Sequence, residues 1–274
     1  MITIARAVRA NPPLAIGTFI LACVLALTVL APFLAPYGVA EQSILDRFQR
    51  PGVKHLLGTD QYGRDLLTRT LFGGRTALLL GLGAVALGLL LGVPIGLASG
   101  YAGGRTDEVV MRVVDAFLSF PALLMALMIV TALGASTAHA LLAIGVASAP
   151  GIARIVRSQT LAVKHEEFVL AARAQGDSHA YIMFGEILPN LLPPIVIEAS
   201  IRVGFAILAS ASLSFLGLGV QPPTADWGLM IREARQHIFL SPWPLLCPGL
   251  ALALTIVGFN LIGDGVRDRL AGRT

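Results

Sequence analysis

Two ionisable residues, Glu198 and Arg202, interrupt the apolar run PPIVIEASIRVGFAILASASLSFLG. Four residues apart, they fall on one helix face and can neutralise each other. A lone charge in a membrane helix costs about 2.5–3.5 kcal/mol on insertion scales, so this face must turn toward protein or a water-filled path. The pair reads either as a structural ion pair near the cytoplasmic end of its span or as part of a pathway suited to zwitterions. Other reactive groups are scattered. Lys54 and Lys164 each follow a valine, so neither belongs to a phosphate-cradling Gly-Lys-Ser/Thr loop. His55, His139, His165, His179 and His237 lack metal-ligand spacing on any one helix, and Cys23 and Cys247 lie far from them and from each other. These residues predict no catalytic site, no bound metal and no cofactor on this chain.

A second polar feature is EFVLAARAQGDSHAYIMFGEILPN, residues 167–190. Good helix formers run from Lys164 to Gln175. Gly176 suits the position after a helix, where φ is often positive, and Asp177 or Ser178 can cap the helix that follows. That second helix is expected to run to Pro189, with Pro193 and Pro194 opening the next span. Phe168, Ala171, Ala172 and Gln175 are expected on one face of the first helix, where two alanines allow close approach to a partner. From these residues alone the loop is equally a solvated connector.

The elements carrying these features follow from composition. Apolar residues make up 55% of the 274 residues and charged ones 13%, against about 25% charged in a soluble domain. A spanning helix needs about 20 apolar residues. Runs at 14–34, 77–100, 113–133, 138–156, 193–217 and 245–263 supply six, so the expected fold is an all-α membrane protein of six transmembrane helices with both termini on one side. The first run is too long for a signal-peptide core and is expected to be retained. With the N-terminus inside, Arg6, Arg9, Arg105, Arg112, Arg154, Arg157, Lys164, Arg173, Arg267, Arg269 and Arg273 are cytoplasmic. Arg47, Arg50, Lys54, Arg64, Arg69, Arg75, Arg232 and Arg235 then lie outside, a weak positive-inside bias in which the basic first outer loop is the awkward piece. The net charge of +4 fits contact with anionic lipid, and scattered basic residues with few aromatics argue against nucleic acid. Gly88, Gly92, Gly96 and Gly100 recur every four residues, a stripe that admits a close neighbour helix from this chain or from a partner subunit.

The order of residues in the polar loop, AARAQGDSHAYIMFGEILPN, resembles the EAA loop of ABC-importer permeases. Ala171, Ala172, Gly176, Leu188 and Pro189 match its pattern, Ile187 holds the apolar position usual in the peptide branch, and Leu170 stands where the family has Glu. Residues 57–81 (LGTDQYGRDLLTRTLFGGRTALLLG) and 212–231 (SLSFLGLGVQPPTADWGLMI) resemble signature stretches of the dipeptide/oligopeptide/nickel permease family, C-type subunit. These stretches also have plain structural readings. Thr59 or Asp60 could cap an outer helix, Asp65 and Arg69 could form an i,i+4 pair, Gly217 and Gly219 could end the fifth span, and Pro222 and Pro223 could stiffen the loop beyond.

The resemblance implies a type I ABC importer transmembrane domain, at residues 74–263, after an N-terminal segment 1–73 with the first helix and outer loop, and before a cytoplasmic tail 264–274. It implies half of a translocation pathway in a bacterial inner membrane, paired with a homologous B-type permease. Two cytoplasmic ABC ATPases would hold ATP and Mg, and an extracytoplasmic binding protein would deliver di- or oligopeptides, nickel or another small solute. ATPase coupling would fall to Phe168, Ala171, Ala172, Arg173, Gln175, Gly176, Asp177 and Ser178. A secondary transporter, which would need further intramembrane ionisable residues and internal repeats, and a non-transporting assembly factor are the rivals.

Overall fold

The computed structural model describes residues 12–270, with side chains to Asp268. Arg6, Arg9 and Arg273, the Arg269 side chain, and the end of the expected tail lie outside the described residues. The helices are α1 (Pro12–Val29), α2 (Ala31–Leu34), α3 (Leu66–Ala102), α4 (Gly104–Leu118), α5 (Ala122–Leu133), α6 (Thr137–Val163), α7 (Glu167–Ala174), α8 (His179–Leu216), α9 (Trp227–Ala234) and α10 (Trp243–Leu270). Among the described residues five helices are long and apolar enough to cross a membrane: α1, α3, α6, α8 and α10. The expected continuous span at 113–133 is instead a pair, α4 and α5, bent by 82°. Ser119, Phe120 and Pro121 form the break, where proline cannot continue the preceding helix.

α3 begins earlier than its apolar run because Asp65 accepts a hydrogen bond from the Thr68 amide at 2.8 Å, an N-cap that starts the helix among polar residues. Its 37 residues span about 55 Å, well beyond a hydrocarbon core of about 30 Å. The glycine stripe on this helix packs within the chain, against α6. A Cβ on Gly92 would lie 2.7 Å from the Ala149 carbonyl and 2.8 Å from Ile152 Cβ, and one on Gly100 would lie 2.7 Å from Thr160 Cβ. The pairs advance together, Gly92 beside Ala149 and Gly100 beside Thr160, so α3 and α6 run parallel. The α4–α5 pair must therefore carry the chain back along the length of the bundle.

The remaining helices alternate. Gly204 of α8 faces Asn260 of α10, and Gly263 faces Ile201. Gly17 of α1 faces Leu261, and Gly258 faces Leu21. Both contacts are antiparallel, and they bring the start of α1 and the end of α10 to the end of the bundle that carries α7. The last helix continues past the expected boundary at 263 through Leu270.

At the opposite end, residues 35–65 and α9 form a cap. Trp227 donates its indole N–H to the Thr70 carbonyl at 2.9 Å, and Asp226 caps α9 by accepting from the Leu229 amide at 2.9 Å. The awkward basic loop is explained here. Arg64 and Arg69 are 5% and 1% exposed. Arg64 bonds Asp60 at 2.6 Å and Glu233 of α9 at 2.5 Å, while Arg69 lies 3.9 Å and 3.8 Å from the same carboxylates. The expected Asp65–Arg69 pair is absent, because Asp65 binds His55 Nδ1 at 2.9 Å and caps α3. Thr59 and Asp60 are not helix caps. Thr59 Oγ1 accepts from the Gln49 amide, and Asp60 accepts from the Tyr62 and Arg64 amides. Gly217 does end α8, with φ of 87°.

Candidate functional site

The polar loop folds as helix, turn, helix. Its first helix starts at Glu167 rather than Lys164, because Lys164 closes α6 and reaches across to donate to the Gly100 carbonyl at 2.9 Å. The turn has both backbone bonds of a Schellman motif: Gly176 N–H donates to Arg173 O, and Asp177 N–H to Ala172 O, each at 3.1 Å. Gly176 has φ of +83°, as its place after the helix requires. Ser178, not Asp177, caps the next helix, accepting from the Tyr181 amide at 3.2 Å.

The expected break at the prolines is not formed. Ile182–Ile187 is a π-helical stretch, and α8 runs unbroken from His179 to Leu216. Leu188 N–H donates to Met183 O, five residues back. Pro189 then falls in the first turn of the α-helical register, where proline is tolerated. The Asn190 side chain donates to the Glu186 carbonyl at 2.8 Å.

The faces of α7 differ from the expected grouping. Val169 and Ala172 point inward, 0% and 6% exposed. They join one buried cluster with Leu97 of α3, Ile152 and Val156 of α6, and Ile182, Ile187 and Leu191 of α8. Ala172 is therefore separated from Phe168, Ala171 and Gln175, which are exposed, as is Leu170. The i,i+3 spacing of Val169 and Ala172 was the available signal for the inner face. Arg173 turns toward Tyr101, its guanidinium 5.0 Å above the ring centre, and Asp177 is half-buried beside the turn. A second polar link ties the same end together: Asp107 of α4 accepts from Ser99 of α3 at 2.6 Å and from Arg157 of α6 at 3.0 Å.

Glu198 and Arg202 form the expected pair, with Nε 2.6 Å from Oε1 and both side chains 22% exposed. They lie deeper than expected. Glu198 is ten residues beyond Leu188, about 15 Å along the helix, and Arg202 is fourteen before Leu216, about 21 Å. The pair thus sits at mid-height, not near one end. The guanidinium occupies space left by Gly151 of α6, where a Cβ would lie 2.6 Å from Nη2. Both residues line a 370 Å³ cavity between α5, α6 and α8, otherwise walled by Ser148 and by apolar side chains that include Leu123, Ala147 and Phe205. Among the described residues no group of three His, Cys, Asp or Glu side chains could hold a metal.

This architecture is that of an ABC transporter transmembrane domain. A chain of the MetNI methionine ABC transporter, in inward-facing crystal forms, superposes with TM-scores of 0.59 and 0.61 at 21% and 20% identity, covering 71–73% of this chain and 93–95% of that one. Residues 92–274 match the family model of the binding-protein-dependent transport system inner membrane component. Residues 3–51 match the N-terminal TM domain of oligopeptide transport permease C.

The chain belongs to this family, as a C-type permease subunit of the peptide/nickel branch of ABC importers, and it is a multi-pass α-helical membrane protein. Curated relatives include the dipeptide transport system permease protein DppC of Alkalihalophilus pseudofirmus, 41% identical over 97% of this chain and 87% of that protein. The glutathione transport system permease protein GsiD of Pectobacterium atrosepticum is 39% identical over 97% and 88%. The probable D,D-dipeptide transport system permease protein DdpC of Escherichia coli is 38% identical over 96% and 88%.

Proposed function

We propose that this chain forms half of the translocation pathway for di- or oligopeptides across a bacterial inner membrane, driven by ATP on partner subunits. The observation that carries the coupling is the buried cluster around Val169 and Ala172. It makes α7 continuous with the ends of α3, α6 and α8, so force applied to the exposed face of α7 reaches three helices of the bundle at once. Phe168, Leu170, Ala171 and Gln175 offer that face to a cytoplasmic ATPase, while Gly176, Asp177 and Ser178 hold the turn rigid.

In this reading the chain crosses the membrane six times, the bent α4–α5 pair being the third crossing, and both termini are cytoplasmic. The parallel course of α3 and α6 supports that count. Residues 1–73 supply the first helix and outer cap, 74–263 the transport domain, and 264–274 the cytoplasmic end. A B-type permease completes the pathway, two ABC ATPases bind ATP and Mg below, and an extracytoplasmic binding protein delivers substrate above. Dipeptides, D,D-dipeptides and glutathione, named for the relatives, share charged ends rather than side chains or chirality. Such ends suit the Glu198–Arg202 pair and its cavity as part of the pathway.

The test is reconstitution of the chain with its B-type partner, ATPases and binding protein in proteoliposomes. Peptide uptake requiring ATP and all subunits is expected. Uptake by this chain alone, driven by an ion gradient, refutes the reading. Nickel or another solute within the same machinery is separated by identifying the ligand carried by the binding protein.

A further inference from the structure

At the end of the bundle that carries α7, a cavity of 720 Å³ opens between the last turns of α3, the start of α4 and the α7–α8 turn. Its walls change character in the same direction along two helices. On α3, Ile95 and Ala98 give way to Tyr101, and on α8 Met183 gives way to His179. Val110 of α4 adds to the apolar part. At the polar end one tyrosine organises two basic side chains. The Arg173 guanidinium lies over the Tyr101 ring at 5.0 Å, and Tyr101 Oη is 2.8 Å from His179 Nδ1. No carboxylate forms an ion pair with Arg173 among the described residues. A guanidinium held over an aromatic ring still has N–H donors for oxygen atoms.

An apolar slot that ends in an arginine over a tyrosine ring, without a carboxylate partner, complements an anionic amphiphile. We propose that this cleft binds an anionic membrane lipid, with the phosphate on Arg173 and His179 and an acyl chain against Ile95, Ala98, Val110 and Met183. The depth agrees with the chemistry. The apolar run of α3 closes near Gly100, so Tyr101 falls at the headgroup level, where aromatic side chains collect and where the inner leaflet carries negative charge. This depth rests on α7 lying outside the bilayer on its cytoplasmic side; the binding itself is tested without reference to transport. A lipid held here joins α4 to the α7–α8 turn and steadies the loop that meets the ATPase.

The experiment uses the assembled importer, delipidated in detergent and returned to bilayers of equal parts phosphatidylglycerol and phosphatidylcholine. Lipid retained after extraction is read by native mass spectrometry. Wild-type protein is expected to retain phosphatidylglycerol about tenfold over phosphatidylcholine, because phosphatidylcholine brings a cationic ammonium on the same phosphate up to Arg173 and forfeits about one charge-assisted contact. Arg173→Gln is expected to erase the preference. Ala98→Phe, which fills the slot, is expected to lower retention of both lipids while the complex elutes intact. Equal retention of the two lipids by wild type overturns the proposal, as does an unchanged preference in Arg173→Gln or unchanged retention in Ala98→Phe. Competition by glycerol phosphate as effective as by the lipid would also overturn it, since the acyl chain would then contribute nothing.

Discussion

Replacing Glu198 with Gln leaves Arg202 charged, at mid-height in the bundle, without its carboxylate. Removing one partner of a fully buried pair costs about 3–5 kcal/mol. Each side chain here keeps 22% of its surface exposed and borders a cavity, so the cost falls just below that range, at about 2–3 kcal/mol. The insertion cost of a lone central charge, about 2.5–3.5 kcal/mol, leads independently to the same figure. The double variant Glu198→Gln with Arg202→Gln removes both charges, and such replacements are often close to neutral. A gap of about 2 kcal/mol between single and double variants corresponds to roughly a thirtyfold difference in the folded ratio. The assay is the yield of monodisperse protein in mild detergent, with thermal unfolding of the same samples. Equal yields for single and double variants would refute pairing altogether. Uptake by the double variant in the assembled importer then separates roles: normal uptake removes the pair from the pathway, and lost uptake with intact assembly keeps it there.

Gly176→Val is expected to abolish ATP-coupled uptake while the bundle still inserts. Nothing lies within 4 Å of a Cβ at this position, so the penalty is conformational, about 1–2 kcal/mol or more for a β-branched residue at positive φ; Gly176→Asn should retain most uptake, and wild-type uptake by the valine variant would refute the role of the turn. Ala172→Asp is expected to lower folded yield itself, because it buries a carboxylate beside Val169 and Ile182; normal yield would show that Ala172 does not face the core. Gly92→Ala is expected to destabilise the α3–α6 contact by about 1–3 kcal/mol, whereas Gly249→Ala, with open space around it, should be neutral in the same thermal melt. Glu233→Gln leaves the buried Arg64 and Arg69 sharing Asp60 and should lower the melting temperature, most clearly in low salt; an unchanged melt would show that α9 does not depend on these charges.

The structure also redistributes roles among residues that sequence patterns had grouped. Phe168, Ala171, Ala172 and Gln175 satisfy helical spacing for one face, but a short helix offers two overlapping sets. Burial of Val169 selected the one that includes Ala172. Similarly, Asp65 and Arg69 have ideal i,i+4 spacing, yet His55 and the Thr68 amide compete for the same carboxylate and win.

What the sequence determined by itself is local and periodic. Runs of about 20 apolar residues locate spanning helices because lipid leaves the backbone no other partner. A four-residue glycine period defines a smooth face, an i,i+4 Glu–Arg pair a neutral one, and Gly176 with Ser178 a helix–turn–helix. The signature stretches gave the family before any contact was known. Only the tertiary structure decided that α3 and α6 run parallel, which turns the bent α4–α5 pair into a return path. It alone placed Glu198 and Arg202 at mid-height and joined Arg64 to Glu233, 169 residues away. It alone brought Tyr101, Arg173 and His179 to one cleft. These facts depend on which helices meet and at what depth, and apolar periodicity carries no such information: it specifies that a face must be covered, not by what.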